Sequence, residues 1–473
     1  MRGKNKKPNI VLENVLIEDF ASEAKCLSRV NDEVIFIEGP VAPGDYADLR
    51  ITKSKKNYKE ATAINIRPTS AFRTQTTCSH FGVCGGCKWQ HIDYQQQLVF
   101  KTKQVTDNLE RIAKVDLPAI NPILPSKETF YYRNKLEFTF SKNRWLTAEE
   151  MNTEGNLSKN ALGFHVPKRY DKILDVSHCY LQPDPSNKIR LAVKDFAEKH
   201  DMEFYELVRQ EEGVLRNLII RIAKTGDLMV IVQFAKNSPE EIQLMMDFLA
   251  NEFPEITSLN YIINTKGNDT FHDLEVINVK GFPYIIEEME GLKFRVGPKS
   301  FYQTNSTQAY ELYKITRDYA DLQGDELVYD LYTGTGTIAN FVAKKARKVI
   351  GLEYVEMAVE DARVNSEINN ISNTEFYAGD MRKLLDEDFI KQNGRPDVVI
   401  TDPPRAGMDE PVVRTLLEAA PKRIVYVSCN PATQARDLAL LDAKYVVTAV
   451  QPVDMFPQTH HVENVVRLDL REN

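Results

Sequence analysis

The sequence predicts a multidomain α/β protein with a small β-barrel first, a central α+β domain next and a doubly wound parallel sheet last. Three observations support this prediction. The chain has 473 residues, 42% hydrophobic and 27% charged, an ordinary globular composition, and this length suits about three domains. Short β segments separated by turns fill residues 9–68. From residue 301 onward, apolar β-like runs alternate with helical segments.

The first domain, residues 1–68, is predicted to be a barrel of the OB type, a class that often binds oligonucleotides. The turn Gly39–Gly44 separates two of its β segments. The β segments are Val11–Ile17, Glu33–Ile37, Asp45–Thr52 and Glu60–Ile66.

The central domain, residues 69–300, contains a cysteine-rich segment, two helices and several β-like runs. Six cysteines in the whole chain are too few for a disulfide scaffold, but three of them fall within ten residues. Cys26 has no nearby partner and is predicted to lie in the core. The helices are Tyr94–Ala113 and Pro239–Ala250, the second capped by Ser238. The β-like runs are Lys135–Phe140, Asn217–Ile222 and Leu228–Phe234. Part of the segment 94–130 is predicted to pack on the last domain.

The last domain, residues 301–473, is predicted to be a doubly wound sheet with an antiparallel edge. Five strands alternate with helices, and two further strands without an intervening helix suggest a hairpin. The five strands are Leu327–Tyr332, Val349–Glu353, Glu375–Tyr377, Asp397–Thr401 and Ile424–Ser428, and the hairpin strands are Tyr445–Val450 and Val462–Leu468.

A glycine-rich turn follows the first of these strands and predicts a nucleotide-like cofactor. Gly334 and Gly336 let the backbone approach a ligand closely, and Glu353 ends the next strand, where an acid binds ribose hydroxyls. This pattern also fits NAD. However, Asp380 and Asp402 follow the third and fourth strands, so the cleft is lined by carboxylates. Such a cleft repels a pyrophosphate and favours S-adenosylmethionine, which carries positive charges.

Cys429 is the candidate nucleophile because it directly follows the buried run Arg423–Ser428, at the carboxyl edge of the sheet. Glu463, on a neighbouring loop, is the candidate base. A thiol and a carboxylate suit addition to an electrophilic ring followed by removal of a proton. The alternative for a single cysteine after a strand is a small buried core residue.

Charge and hydropathy limit the functional classes. The net charge of −8 and pI near 5.7 argue against nonspecific coating of nucleic acid, although a local basic face stays compatible. No apolar stretch approaches the roughly 20 residues of a membrane helix, and the N-terminal region has no apolar signal-peptide core. We therefore expect a cytoplasmic protein without a membrane interaction, and infer no obligate protein partner.

Motifs along nearly the whole chain resemble those of the RNA uracil-C5 methyltransferases, in the branch that has a TRAM domain and an iron–sulfur cluster. The motifs are Cys78-x5-Cys84-Gly-Gly-Cys87, Tyr132-Arg-Asn-Lys-Leu-Glu-Phe138, Phe301-Tyr-Gln303-Thr-Asn305, Asp330–Gly336, Asp402-Pro-Pro-Arg405, Ser428-Cys-Asn-Pro431 and His461-Val-Glu463. The resemblance implies an N-terminal TRAM barrel and a C-terminal Rossmann-like methyltransferase domain that uses S-adenosylmethionine.

The resemblance also implies roles for individual residues. Cys429 would add to carbon 6 of a uracil, and Glu463 would remove the proton from carbon 5. The cofactor would contact Gln303, Tyr332, Gly334, Glu353 at the ribose and Asp380 at the adenine, and Asp402 would lie between cofactor and uracil. A [4Fe–4S] cluster would be held by Cys78, Cys84, Cys87 and Cys179, a set that also suits tetrahedral zinc.

The implied substrate is RNA, and 23S ribosomal RNA in particular, because the family branch with the cluster mostly modifies 23S ribosomal RNA. Three alternatives stay open: a transfer-RNA uridine methyltransferase, a base amino-group methyltransferase, suggested by Asp402-Pro-Pro, and an RNA-binding protein without activity. Amino-group enzymes place an aromatic residue where this chain has Arg405, and they have no use for Cys429.

Overall fold

The computed structural model describes residues 10–151, 157–208 and 213–472. The first nine residues of the predicted barrel domain therefore lie outside the described residues, as do Asn473 and two short stretches of the predicted central domain.

The N-terminal unit is a six-stranded, strongly curled sheet with the order β1-β5-β6-β4-β3-β2. The amide of Glu18 donates to the carbonyl of Leu27, and Ser28 Oγ donates to the carbonyl of Leu16, so the chain after β1 meets β3 and the sheet curls onto itself. Cys26 is buried in the core, as predicted. The strands are β1 (Val11–Leu16), β2 (Asp19–Phe20), β3 (Cys26–Val30), β4 (Glu33–Glu38), β5 (Tyr46–Ser54) and β6 (Tyr58–Arg67).

Two of these strands were not predicted from the sequence. Strand β2 has only two residues. In β3 the buried positions are Cys26 and Ser28, so a polar residue occupies an inward position and the apolar alternation is interrupted.

The central unit is an eight-stranded mixed sheet with the order β14-β13-β12-β11-β7-β9-β10-β8. Its strands are β7 (Lys135–Ser141), β8 (Arg144–Trp145), β9 (Ala161–Val166), β10 (Arg169–Asp175), β11 (Leu215–Ile222), β12 (Leu228–Phe234), β13 (Ser258–Ile263) and β14 (Ile277–Gly281), and its helices are α2 (Ala148–Met151), α3 (Ser186–Lys199) and α4 (Pro239–Glu252). A separate two-stranded sheet, β15 (Ile285–Met289) and β16 (Leu292–Val296), follows. The three β-like runs and helix α4 were predicted to within about two residues. Ser238 precedes α4, but its hydroxyl bonds to Glu241 and not to a backbone amide.

Helix α1 (Tyr94–Asn108), which continues as a π-helical turn over Leu109–Ala113, contacts two cores. Phe100 packs in the core of the barrel, whereas Val105 and Leu109 pack against the C-terminal sheet. This helix therefore contacts both the barrel and the C-terminal sheet.

The C-terminal sheet has seven strands in the order β19-β18-β17-β20-β21-β23-β22. Its elements are α5 (Ser306–Ala320), β17 (Leu327–Leu331), α6 (Thr337–Ala343), β18 (Lys348–Glu353), α7 (Glu356–Ile368), β19 (Thr374–Ala378), α8 (Met381–Leu384), α9 (Glu387–Asn393), β20 (Val398–Thr401), α10 (Glu410–Ala419), β21 (Arg423–Ser428), α11 (Pro431–Leu441), β22 (Tyr445–Val453) and β23 (Glu463–Leu470).

The first five strands of this sheet are parallel, and the predicted hairpin, β22 and β23, is present. The antiparallel strand is not at the edge, however. Strand β23 returns from β22 and inserts beside β21, so β22 forms the edge. Strand order reverses between β17 and β20, and ligands bind at such a switch point.

Candidate active site

Strand register places Cys429 and Glu463 beside each other. Ser428, the last residue of β21, pairs with Asn464 of the antiparallel strand β23. Cys429 therefore continues one strand just where Glu463 begins the other. Cys429 is half-buried, and the next residue, Asn430, caps helix α11 by accepting a hydrogen bond from the amide of Ala432 at 3.2 Å. The turn is tightened by the amide of Asn430, which donates to Ser428 Oγ at 3.1 Å.

The electrostatics of Cys429 match this placement. The pKa of its thiol is raised to about 11, mainly by burial and also by the nearby charges of Glu463 and Asp402, whereas Arg405 opposes the shift. Glu463 is only 4% exposed, and burial, followed by the charge of Asp402, raises its pKa well above the ordinary value. In the protein without ligands, Cys429 is consequently a neutral thiol at neutral pH.

Two aspartates meet at the switch point of the sheet. Leu331 of β17 pairs with Thr401 of β20, so Asp402 lies at the end of a strand that borders β17. Burial raises the pKa of both Asp330 and Asp402 to about 7, and the charge of Asp330 contributes to the shift at Asp402. The hydroxyl of Thr333 donates to Asp330 Oδ2, but Asp330 Oδ1 is buried with no hydrogen-bond partner among the described residues.

The glycine-rich turn is built from backbone conformations that suit glycine. Tyr332, Gly334 and Gly336 all have positive φ, at 62°, 56° and 73°. A Cβ on Gly336 would approach the Cβ of Ala362 to 2.8 Å, so the helix after the turn packs closely on α7. The amide of Gly334 donates to the Glu353 carboxylate at 3.0 Å, which ties the turn to the end of β18.

Asp380 and Gln303, the two remaining candidate cofactor residues, each have a defined partner. Asp380 caps α8, and the guanidinium of Arg382 binds its carboxylate at 2.8 Å and lowers its pKa. Gln303 is buried just before α5, and its carbonyl accepts a hydrogen bond from the side chain of Asn134 at 2.9 Å. Two of the motifs quoted above, around residues 132–138 and 301–305, are thus in contact.

The four cysteines of the predicted cluster line one cavity of about 210 Å³. Burial raises the pKa of Cys84 to about 11 and that of Cys87 to about 12, and the Cys78 and Cys179 sulfurs contribute to both shifts. His80 joins the segment of Cys78, Cys84 and Cys87 to the segment of Cys179, because its Nε2 accepts a hydrogen bond from the amide of Ser177 at 2.9 Å. Within the described ranges, no three His, Cys, Asp or Glu side chains are arranged closely enough to hold a metal ion as they stand.

Comparison with known proteins identifies the family. Residues 284–471 match the tRNA (uracil-5-)-methyltransferase family, and residues 13–64 match the TRAM domain. An RNA methyltransferase of Bacteroides thetaiotaomicron is 60% identical over 95% of this chain and 100% of its own length. Another, of Porphyromonas gingivalis, is 55% identical over 96% of this chain and 98% of its own. The chain belongs to the tRNA (uracil-5-)-methyltransferase family.

A solved structure supports the same assignment. The tRNA (uracil-54, C5)-methyltransferase of Pyrococcus abyssi, in complex with S-adenosyl-L-homocysteine, is 27% identical, with a TM-score of 0.74, and the match covers 96% of this chain and 100% of that one. The predictions of a TRAM domain, a methyltransferase fold, S-adenosylmethionine as cofactor and an RNA substrate are therefore confirmed. In the part of the chain that the structure describes, no helix is long and apolar enough to cross a membrane.

Sequence reasoning missed Tyr313 of α5. Tyr313 is buried, and burial is the largest cause of its raised pKa. Tyr302 and the charges of Asp402 and Asp330 also raise this pKa, which shows that Tyr313 lies near these acids. Nothing in the helical pattern of α5 distinguishes this tyrosine from a core residue; the only available signal was that α5 directly follows the motif containing Gln303.

Proposed function

We propose that this protein methylates carbon 5 of a uridine in RNA through a covalent bond between Cys429 and carbon 6 of the uracil. The observation that carries the proposal is the register of β21 and β23, which sets Cys429 beside Glu463 next to the cofactor cleft. Family membership supports uracil as the base, and the thiol supports covalent catalysis over an amino-group reaction.

The chemistry requires a nucleophile, a base and a group that holds the ring. The Cys429 thiol loses its proton to solvent, and its sulfur bonds to carbon 6 while the electrons of the C5–C6 double bond form an enolate. Carbon 5 then bonds to the methyl group, whose bond to the cofactor sulfur breaks. Glu463 takes the proton from carbon 5, and the carbon–sulfur bond breaks to restore the ring and the thiolate. Because burial raises the pKa of Glu463, its carboxylate is a stronger base than an exposed glutamate.

Asp402 is proposed to orient the uracil. As a carboxylate it accepts a hydrogen bond from the N3–H of the ring. Because its pKa is raised to about 7, the protonated form is also populated at neutral pH, and that form donates to a ring carbonyl. The target base must leave its stack to reach this buried position.

The residues of the cleft fit S-adenosylmethionine, which supplies the electrophilic methyl group when bound. Asp330 Oδ1 is buried with no hydrogen-bond partner among the described residues. Besides burial, the charge of Glu353 raises the pKa of Asp330 and the charge of Asp330 raises that of Asp402, so a cation placed among these acids would relieve their repulsion. Gln303, Tyr332, Gly334, Glu353 and Asp380 are proposed to hold the cofactor.

We also propose that Cys78, Cys84, Cys87 and Cys179 hold a [4Fe–4S] cluster. Four thiols lining one cavity, with glycines between two of them, support this donor set. Protein purified without oxygen is expected to be brown and to contain about four irons per chain, as ligation by four cysteines implies. Stoichiometric zinc without iron would contradict the proposal.

The proposed substrate is 23S ribosomal RNA, because this set of cysteines resembles that of the family branch that modifies 23S ribosomal RNA. A transfer-RNA substrate is the second candidate, because the similar Pyrococcus abyssi enzyme is by its name a tRNA methyltransferase. Mapping 5-methyluridine by mass spectrometry in ribosomal and transfer RNA of a deletion strain distinguishes the two.

The covalent step is tested with RNA carrying 5-fluorouridine. Fluorine cannot leave as a proton does, so the adduct accumulates as a complex that survives denaturation. Cys429→Ala is expected to abolish this complex, whereas Cys26→Ala, at a buried thiol of the barrel, leaves it unchanged. A stable complex with Cys429→Ala would refute the assignment.

A further inference from the structure

A group of aromatic side chains outside the active site surrounds the Cys179 segment. The ring of Tyr131 lies 6.3 Å from that of His178 and 6.0 Å from that of Tyr180, and the last two rings are 4.4 Å apart. The Tyr131 hydroxyl is 3.1 Å from His178 Nε2. Neither neighbour is stacked parallel on Tyr131, since the interplanar angles are 79° and 55°.

Tyr131 is presented to solvent in a backbone conformation that bulky residues rarely adopt. Its φ is +54°, and its side chain keeps 44% of its surface exposed. Two backbone hydrogen bonds hold this conformation: the amide of Tyr131 donates to the carbonyl of Tyr180 at 2.7 Å, and the amide of Arg133 donates to that of Leu181 at 2.8 Å. Strain of this kind in a well-held segment points to function.

The aromatic group is connected to the catalytic loop by consecutive contacts. The guanidinium of Arg133 lies over the ring of Phe456 at 5.4 Å, and Phe456 is 6.4 Å from the ring of His461, two residues before Glu463. The Nε atom of Arg133 is buried with no hydrogen-bond partner among the described residues. Arg133 also lines the cavity of about 150 Å³ that contains Tyr131. Its charged lining residues are Arg133, Lys224 and Glu128, so cations outnumber acids beside the exposed ring.

We propose that Tyr131, supported by His178 and Tyr180, is a stacking platform for an unpaired base that neighbours the target uridine. An exposed aromatic ring beside cations is the arrangement that binds single-stranded nucleic acid, because every base has a face to stack and every nucleotide a phosphate. A strand whose uridine enters the site of Cys429 passes Arg133 and reaches Tyr131. The proposal rests on the proposed function, since it assigns a contact to the same RNA.

The test measures the affinity of the whole protein, with its metal content intact, for a short single-stranded RNA of mixed sequence that carries 2-aminopurine. Tyr131→Ala is expected to weaken binding about five- to 150-fold, the range for loss of one base–aromatic stack. Tyr131→Phe and Tyr131→Trp keep a ring and are expected to bind within about threefold of wild type. Stacking also quenches 2-aminopurine fluorescence, and Tyr131→Ala is expected to remove that quenching.

Controls separate this role from a structural one. Tyr170, on β10, is 76% exposed and has no described ring contact, so Tyr170→Ala is expected to leave affinity unchanged. If Tyr131 instead supports the Cys179 segment through its hydroxyl, Tyr131→Phe would behave like Tyr131→Ala, and both would lower iron content and melting temperature. That result, or unchanged affinity of Tyr131→Ala, would overturn the proposal.

Failure of the platform is distinguishable from failure of the proposed function. Wild-type protein that produces no 5-methyluridine in any RNA refutes the function, whatever Tyr131 does. Wild-type methylation together with wild-type affinity of Tyr131→Ala refutes the platform alone.

Discussion

A buried ion pair holds the loop that leads to Glu463, and its removal should be costly. Lys101 Nζ of α1 lies 2.5 Å from Asp454 Oδ1, and both side chains are fully buried. Lys101 also donates to the carbonyl of Phe456 at 3.0 Å, and Tyr94 donates its hydroxyl to Asp454 Oδ2 at 2.8 Å. Burial lowers the pKa of Lys101 although Asp454 opposes the shift, which indicates how completely the pair is removed from water.

Lys101→Met keeps the length of the side chain but leaves the Asp454 carboxylate buried without its countercharge. Breaking one partner of such a pair costs about 3–5 kcal/mol. The hydrogen bonds that Asp454 accepts from Tyr94 and from the amide of Phe456 remain in this variant. We therefore expect the free energy of unfolding to fall by about 3 kcal/mol, the lower end of that range. The double change Lys101→Met with Asp454→Leu removes both charges and is expected to cost much less, because an apolar pair of similar volume needs no solvation.

The assay is urea unfolding followed by tryptophan fluorescence, with hydrogen exchange to localise the effect, because a multidomain chain is not two-state. Trp89 is close to this loop, since its amide donates to the carbonyl of Gln458 at 3.0 Å. Lys103→Met, two residues along the helix, removes partly exposed ion pairs with Asp107 and Asp19 and is expected to cost at most about 1 kcal/mol. If Lys101→Met costs no more than Lys103→Met, the reasoning is wrong.

Three further predictions concern the site itself. Glu463→Gln is expected to stall after methyl transfer, so that label from methyl-labelled cofactor migrates with a protein–RNA complex in denaturing gels; wild-type release of methylated RNA would assign the proton to another group. Alkylation of Cys429 by iodoacetamide, followed by peptide mass spectrometry, is expected to accelerate about tenfold per pH unit from pH 7 to 9, because a pKa raised to about 11 leaves little thiolate below that pH; a plateau near about 8.5, the ordinary thiol value, would contradict this. Gly336→Ala is expected to destabilise by more than about 1 kcal/mol in thermal unfolding, more than Gly226→Ala, where φ is also positive but no atom lies within 4 Å.

The sequence predicted the C-terminal domain well because its strands are buried on both faces. Runs such as Ile424–Ser428 are continuous and β-branched, and this pattern is specific for parallel sheets. The order of the last two strands was not predictable in the same way. Strand β22 alternates in burial, whereas the first four residues of β23 are all buried because this strand lies between β21 and β22. Packing decides which of the two strands inserts beside β21.

The candidate site residues can be proposed from the sequence, but their electrostatic coupling cannot. Asp402 and Glu463 stand out in the sequence because each closes or opens a strand. Their raised pKa values depend mainly on burial by tertiary contacts, which no local pattern encodes. The pairing of Asp380 with Arg382 and the approach of Tyr313 likewise depend on tertiary contacts.

The loop Asp454–Gln458 gives a physical reason why motifs so far apart in the sequence occur together. Each of its groups is held by a different part of the chain: the Met455 carbonyl by the Asn305 side chain at 3.0 Å, the Pro457 carbonyl by the Tyr132 hydroxyl at 2.9 Å and the Gln458 carbonyl by the Lys88 amide at 2.8 Å. Lys88 directly follows Cys87, Tyr132 begins the second motif, and Asn305 ends the third. The cysteine segment, the central domain and the motif at residues 301–305 therefore converge on the loop that leads to Glu463. A change in any of these three segments is therefore expected to shift this loop, and with it the proposed base, without any direct contact with Glu463.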